Sequence, residues 1–142
     1  MIQIFEIQSA QEMEQAFEIR RIVFVIGQQC APDEEYDEYE KTCRHFLAKI
    51  QGIQAGTCRI RETSFGIKLE RFAVLENFRG QNIGAALVEN CLQKIQGTHE
   101  KVYLHAQEHA LKFYEKFGFQ AVGERFYEAN IPHFKMILVV SS

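Results

Sequence analysis

The apolar residues Ile2, Ile4 and Ile7 open the chain as a short predicted strand that ends at Ser9. Ser9, followed three positions later by Glu12, forms a capping-box pattern, and Met13, Ala16, Phe17, Val23 and Phe24 continue at helical spacing, so a helix is expected over about 10 to 24. Between Gln28 and Lys41 the pattern turns polar and acidic, which reads as a solvated loop with a short helix. Three strand-like runs follow, Cys43 to Gln51, Ile53 to Arg61 and Ile67 to Leu75, separated by Gln51-Gly52 and Ser64-Phe65-Gly66, as in an antiparallel meander. A polar stretch from Phe78 to Gly84 then opens a helix with apolar positions Ile83, Leu87, Val88, Cys91, Leu92 and Ile95, closed by Gly97. Lys101 to Gln107 alternates as a strand, His109 to Phe117 reads as a helix stopped by Gly118, and two strands over 119–127 and 133–140 finish the chain. The strand-helix-strand order around 67–107 implies one parallel pair with a right-handed crossover inside a mostly antiparallel sheet. The expected fold is therefore mixed α/β, α+β in arrangement, with a sheet flanked by helices in one domain over 1–142.

Composition narrows the function. At 46% hydrophobic and 25% charged residues the chain is globular, and a net charge of -3 lacks the positive field that nucleic-acid binding normally uses. No apolar run reaches the roughly 20 residues of a membrane helix. Cys30, Cys43, Cys58 and Cys91 show no short paired spacing, so free thiols are expected and no zinc or other metal site is suggested. With no basic and apolar leader pattern at the start, the expected location is cytoplasmic.

The segment with the clearest chemistry is Val74 to Ala85, a strand that passes through a polar turn into a helix N-terminus. Unpaired N–H groups and the helix dipole favour an anion there, Arg79 adds charge, and the small residues Gly80, Gly84 and Ala85 allow close approach. A phosphate is the natural guest, although neither a Walker ending nor a full dinucleotide fingerprint is present.

The run Leu69-Glu70-Arg71-Phe72-Ala73-Val74 followed by Arg79-Gly80-Gln81-Asn82-Ile83-Gly84-Ala85 resembles the acetyl-CoA signature of the GNAT superfamily of N-acetyltransferases. Ala110 to Phe119 resembles the second half of that family's cofactor site. Asn82 replaces a motif glycine, and Asn is the residue after glycine that best tolerates a left-handed backbone. Arg20 to Val25, the acidic 32–37 segment, His45, Ala106-Gln107 and Asn130 to His133 are similar to the small bacterial ElaA/YjcF-type branch. Gly27 and His105 depart from that branch, where Glu and Asn are usual. The resemblance implies parallel strands that splay to admit the pantetheine arm of acetyl-CoA, with Phe72, Ala73 and Val74 offering strand backbone, the Arg79 to Ala85 loop holding the pyrophosphate, and Gln107 beside the cofactor. It further implies acetyl transfer to a small-molecule or peptide amine by direct attack in a ternary complex, with no metal and with a homodimer allowed. The rival reading is a catalytically idle acyl-CoA-binding sensor or regulatory module.

Within that frame Tyr114 is the candidate to hydrogen-bond or protonate the leaving thiolate, against a packing role beside Phe113 and Phe117. Glu70 is a candidate base, against simple pairing with Arg71; on a regular strand these neighbours face opposite sides, so only one enters the cleft. His45 is the other candidate base, and Arg20, Asp37, His105 and His133 are candidate acceptor contacts. No cysteine falls on the cofactor motifs, which disfavours a cysteine nucleophile. The six carboxylates of Asp33, Glu34, Glu35, Asp37, Glu38 and Glu40 suggest an acidic wall at the acceptor entrance and hence a cationic acceptor.

Overall fold

In a computed structural model that describes residues 1–31 and 36–139, seven strands form one sheet in the order β1-β2-β3-β4-β5-β7-β6. The strands are β1 (Ile2–Glu6), β2 (Arg44–Ile50), β3 (Ile53–Thr63), β4 (Gly66–Val74), β5 (Val102–Gln107), β6 (Phe119–Glu128) and β7 (Ile131–Leu138). The helices are α1 (Ala10–Arg20), α2 (Ile83–Lys94) and α3 (Leu111–Glu115). All neighbouring pairs are antiparallel except β4 and β5. Asp33, Glu34 and Glu35 of the acidic segment, and Val140 at the end of the last expected strand, lie outside the described residues.

The capping box forms as the sequence indicates: Ser9 Oγ accepts the Glu12 N–H at 3.1 Å, and Gln8 N–H donates to Glu12 Oε1 at 3.3 Å. The expected helix over 10–24 does not stay α-helical. It widens into a π-helical turn at Arg21–Gly27, where the β-branched run Ile22, Val23, Val25 and Ile26 is crowded in an α-helix. The helix expected over 109–117 likewise shortens to a 3-10 turn at Glu108–Ala110 followed by α3.

Helix α2 covers one face of the sheet, burying Leu87, Val88 and Cys91 completely against Phe46, Cys58, Ile60 and Leu69. Full burial of a Leu or Val side chain contributes about 1.5–3 kcal/mol each, so this layer anchors the sheet. Gly56 lets the helix settle: a Cβ there would lie 3.0 Å from Ile83 Cγ2 and 3.1 Å from the Ala73 carbonyl oxygen. Helix α1 and the π-helical turn cover part of the opposite face, packing Ile19 and Val23 on Leu47 and Ala73. The remainder of that second face is where the site forms.

Candidate active site

β4 and β5 pair only at Ile67 with Val102 and Lys68 with Tyr103, then separate. Beyond that point the β4 edge facing β5 has no strand partner, and a cleft of about 820 Å³ opens between them. Unpaired strand edges take hydrogen bonds from any extended chain with amides. Opposite β3 the register shifts, Arg59 facing Glu70 but Thr57 facing Ala73, and Arg71 adopts φ +59°. This is a β-bulge, in which one extra residue reverses the facing of everything after it. Leu69 before the bulge and Phe72 and Val74 after it all pack toward α2, while Glu70 and Arg71 both line the cleft. The alternation expected for a regular strand is therefore corrected.

At the far end of the cleft the chain leaves β4, turns through Glu76–Phe78 and enters α2. Arg79 Nε donates to the Val74 carbonyl at 3.2 Å, Gly80 has φ +84°, and Asn82 takes the left-handed conformation at φ 65°, ψ 19°. The N-terminus of α2 has no side-chain cap and no acidic residue in its first turn, so its leading N–H groups suit an anion. A Cβ at Gly80 would meet open space, whereas one at Gly84 would touch Phe113 Cζ at 3.4 Å. Gly84 thus serves the approach of α2 to α3, while Gly80 keeps the loop open.

The acidic segment does not present an open acidic wall in the part described. Arg59, almost fully buried, donates to Asp37 and Glu40 and pairs with Glu70 at 2.6 Å, while Arg20 holds Glu40 through two bonds of 2.8 and 2.7 Å. Burial alone would raise the Asp37 carboxyl, but the Arg59 hydrogen bond and charge outweigh it and hold it at about 2. Glu70 follows the same logic: burial is opposed by Arg59, Lys68 and Arg61, and the carboxyl is held at about 2. A carboxylate held by three cations is a weak proton acceptor at neutral pH.

His45 and Arg20 lie outside the cleft. His45 lies on β2 away from the cleft, donating its Nε2 hydrogen to the Glu40 carbonyl at 2.7 Å, with burial pushing its pKa down. It ties the acidic segment to the sheet. Arg20 is also outside the cleft lining, held against Glu40 and the rings of Phe17 and Tyr36. Both residues hold the segment that carries Asp37, and neither lines the cleft.

Tyr114, His105, His133 and Gln107 do line it. Tyr114 stands edge-on to Phe72 and Phe113, with centroids 5.9 and 5.0 Å away, and burial raises its phenol pKa, with smaller contributions from Cys58 and Cys91. The hydroxyl is therefore protonated throughout the neutral range. His105 Nδ1 lies 2.7 Å from Glu128 Oε1, and His133 Nδ1 donates to the Ile131 carbonyl at 2.7 Å. Gln107 pairs its amide with Gln28 at the exit of the π-helical turn, linking the two walls. Sequence reasoning missed Glu128, Gln28 and Cys30, which also line the cleft. Only the hairpin turn at Ala129 and Asn130, both with positive φ, carried any local signal, Asn being common in such turns.

Among the described residues no group of His, Cys, Asp and Glu is arranged to hold a metal ion, and no helix is long and apolar enough to cross a membrane. Residues 9–140 match the family model described as an acetyltransferase (GNAT) domain. A Bacillus subtilis relative that carries an acetyltransferase name is 38% identical over 137 residues, covering 92% of each chain. The N-acetyltransferase YjcF of the same organism is 33% identical over 132 residues, 89% of this chain and 92% of that one. The crystal structure of Escherichia coli ElaA superposes with a TM-score of 0.86 at 28% identity, covering 96% of this chain and 99% of that one. An acyl-CoA N-acyltransferase from Pseudomonas aeruginosa gives the same TM-score at 27% identity, over 98% and 99%.

Proposed function

Because the chain belongs to the GNAT acetyltransferase family, whose chemistry is acyl-CoA-dependent acetyl transfer, we propose that it acts as a single domain moving an acetyl group from acetyl-CoA to a primary amine by direct attack in a ternary complex. The observation that supports this best is the gap beyond Lys68 and Tyr103, which has free strand backbone on one side and the uncapped α2 N-terminus at its end. The Arg79 to Ala85 loop holds the pyrophosphate, and the backbone of Phe72, Ala73 and Val74 receives the pantetheine amides. A backbone N–H near Val74 polarises the thioester carbonyl.

His105 replaces Glu70 and His45 as the proton acceptor. Glu128 accepts from Nδ1, which leaves Nε2 with its lone pair. An amine of ordinary pKa near 10.4 is mostly protonated at neutral pH, so the minor neutral fraction attacks. Its nitrogen becomes acidic once bonded to the carbonyl carbon, and the proton it sheds passes to the imidazole directly or through water. The C–N bond forms, the C–S bond breaks, and the thiolate leaves.

Tyr114 stabilises that thiolate. Full proton transfer from a phenol with a raised pKa to a thiolate, whose conjugate thiol has a pKa near 8.5, runs uphill, so the hydroxyl acts by donating a hydrogen bond. The test is release of free CoA thiol across a panel of amines, with intact-mass measurement of each product. Binding of acetyl-CoA with no acetylated product from any amine class would instead favour an acyl-CoA sensor.

A further inference from the structure

Resting on that reading for the reacting amine, we propose that the acceptor also carries an anionic group, a carboxylate or a phosphate, which docks against Lys135, Lys68 and Arg61. On the sheet face opposite α2 the cleft continues into a second depression of about 590 Å³ that shares Arg61, Lys68 and His105 with it. Tyr103 and Lys135 wall this extension. Lys135 Nζ sits 5.2 Å from the Tyr103 ring centroid, and the Tyr103 hydroxyl is fixed by Thr63 Oγ1 at 2.8 Å.

Three cations, Arg61, Lys68 and Lys135, line this second depression. Glu70 is shared by Arg59 at 2.6 Å, Arg61 at 2.7 Å and Lys68 at 3.1 Å, and Lys68 also lies in the field of Glu128. Lys135, half-buried, has no carboxylate partner among the described residues, and the one carboxylate lining the second depression is the exposed Glu62. Partly desolvated cations that outnumber the carboxylate lining the depression favour an incoming anion and repel a cation. The ring of Tyr103 and the exposed Phe65 offer an apolar wall for the short stem joining amine to anion. This reverses the acceptor charge suggested by the acidic segment when read along the chain.

The test uses the full chain with 4-aminobutanoate and 3-aminopropyl phosphate as anionic amines, 4-aminobutanamide as the neutral isostere and spermidine as the cation. Calorimetric binding in the presence of CoA and CoA-thiol release with acetyl-CoA are measured separately for wild type and K135Q. The anionic probes are expected to bind and react better than 4-aminobutanamide or spermidine, and the stronger of the two identifies carboxylate or phosphate. K135Q should raise KM for the anionic amine about tenfold, more at low salt, while leaving KM for acetyl-CoA and for 4-aminobutanamide unchanged. K135E should shift preference toward spermidine, and thermal melts of both variants confirm folding. Preference for spermidine or 4-aminobutanamide in the wild type, indifference to K135Q, or no binding of either anionic probe overturns the inference. Lys135-dependent binding of an anionic amine without thiol release supports the anion site and counts against acetyl transfer; efficient acetylation of spermidine does the reverse.

Discussion

His105 Nδ1, on β5, and Glu128 Oε1, on β6, meet at 2.7 Å across the intervening strand β7. Burial would raise the Glu128 carboxyl, but the hydrogen bond from His105, helped by the charge of Lys68, more than offsets that and keeps it below the ordinary carboxylate range. The ionised carboxylate selects the imidazole tautomer whose Nε2 can accept a proton. His105→Gln should therefore lower kcat by roughly a hundred-fold with KM for acetyl-CoA unchanged, and Glu128→Gln should produce a smaller fall. Steady-state kinetics with a verified amine decides this, and an unaltered kcat for His105→Gln would move the proton acceptor elsewhere.

Tyr114→Phe removes one hydroxyl and keeps the ring packed against Phe72 and Phe113. Losing a hydrogen bond to a developing thiolate should cost kcat roughly 10- to 100-fold, without change in CoA affinity or melting temperature. A normal kcat would leave Tyr114 as a packing residue.

The cofactor loop depends on a left-handed backbone at Asn82. Asn82→Gly should bind CoA as tightly as wild type, because glycine adopts this conformation freely. Asn82→Val should weaken binding about tenfold, since a β-branched residue at positive φ is strained by about 1–3 kcal/mol. Isothermal titration of both variants with CoA measures the difference, and equal affinities would show that the loop conformation is immaterial.

Asp37 and Glu70 have folded-state pKa values of about 2, against ordinary values of 3.8 and 4.5. Depressed carboxyl pKa values contribute stability that is fully present above the unfolded pKa and is lost as pH falls through the folded one. Melting temperature should be flat above about pH 5 and drop between about pH 4.5 and 2. Glu70→Gln, which leaves Arg59, Arg61 and Lys68 without a shared carboxylate, should melt lower at neutral pH and show a shallower acid decline. An acid decline as steep as that of wild type would remove Glu70 from this role.

Features written over a few adjacent residues were legible in the chain. Ser9 and Glu12 cap a helix because their partners are one turn away, and Asn82 marks a left-handed position because its own backbone preference allows it. The element order, the parallel pair and the uncapped helix start likewise follow from hydrophobic spacing and turn residues. What only the tertiary structure decided involves partners far apart in sequence. Strict alternation along β4 separates Glu70 from Arg71, yet the mismatch with β3 inserts a bulge and turns both into the cleft. Asp37 and Glu40 look like solvated acids until Arg59 and Arg20, 19 to 22 residues away, neutralise them. His105 gains Glu128 only when β6 and β7 fold back beside β5. Local backbone preference acts through the nearest neighbours, whereas charge and facing are set by whichever side chains the sheet brings together.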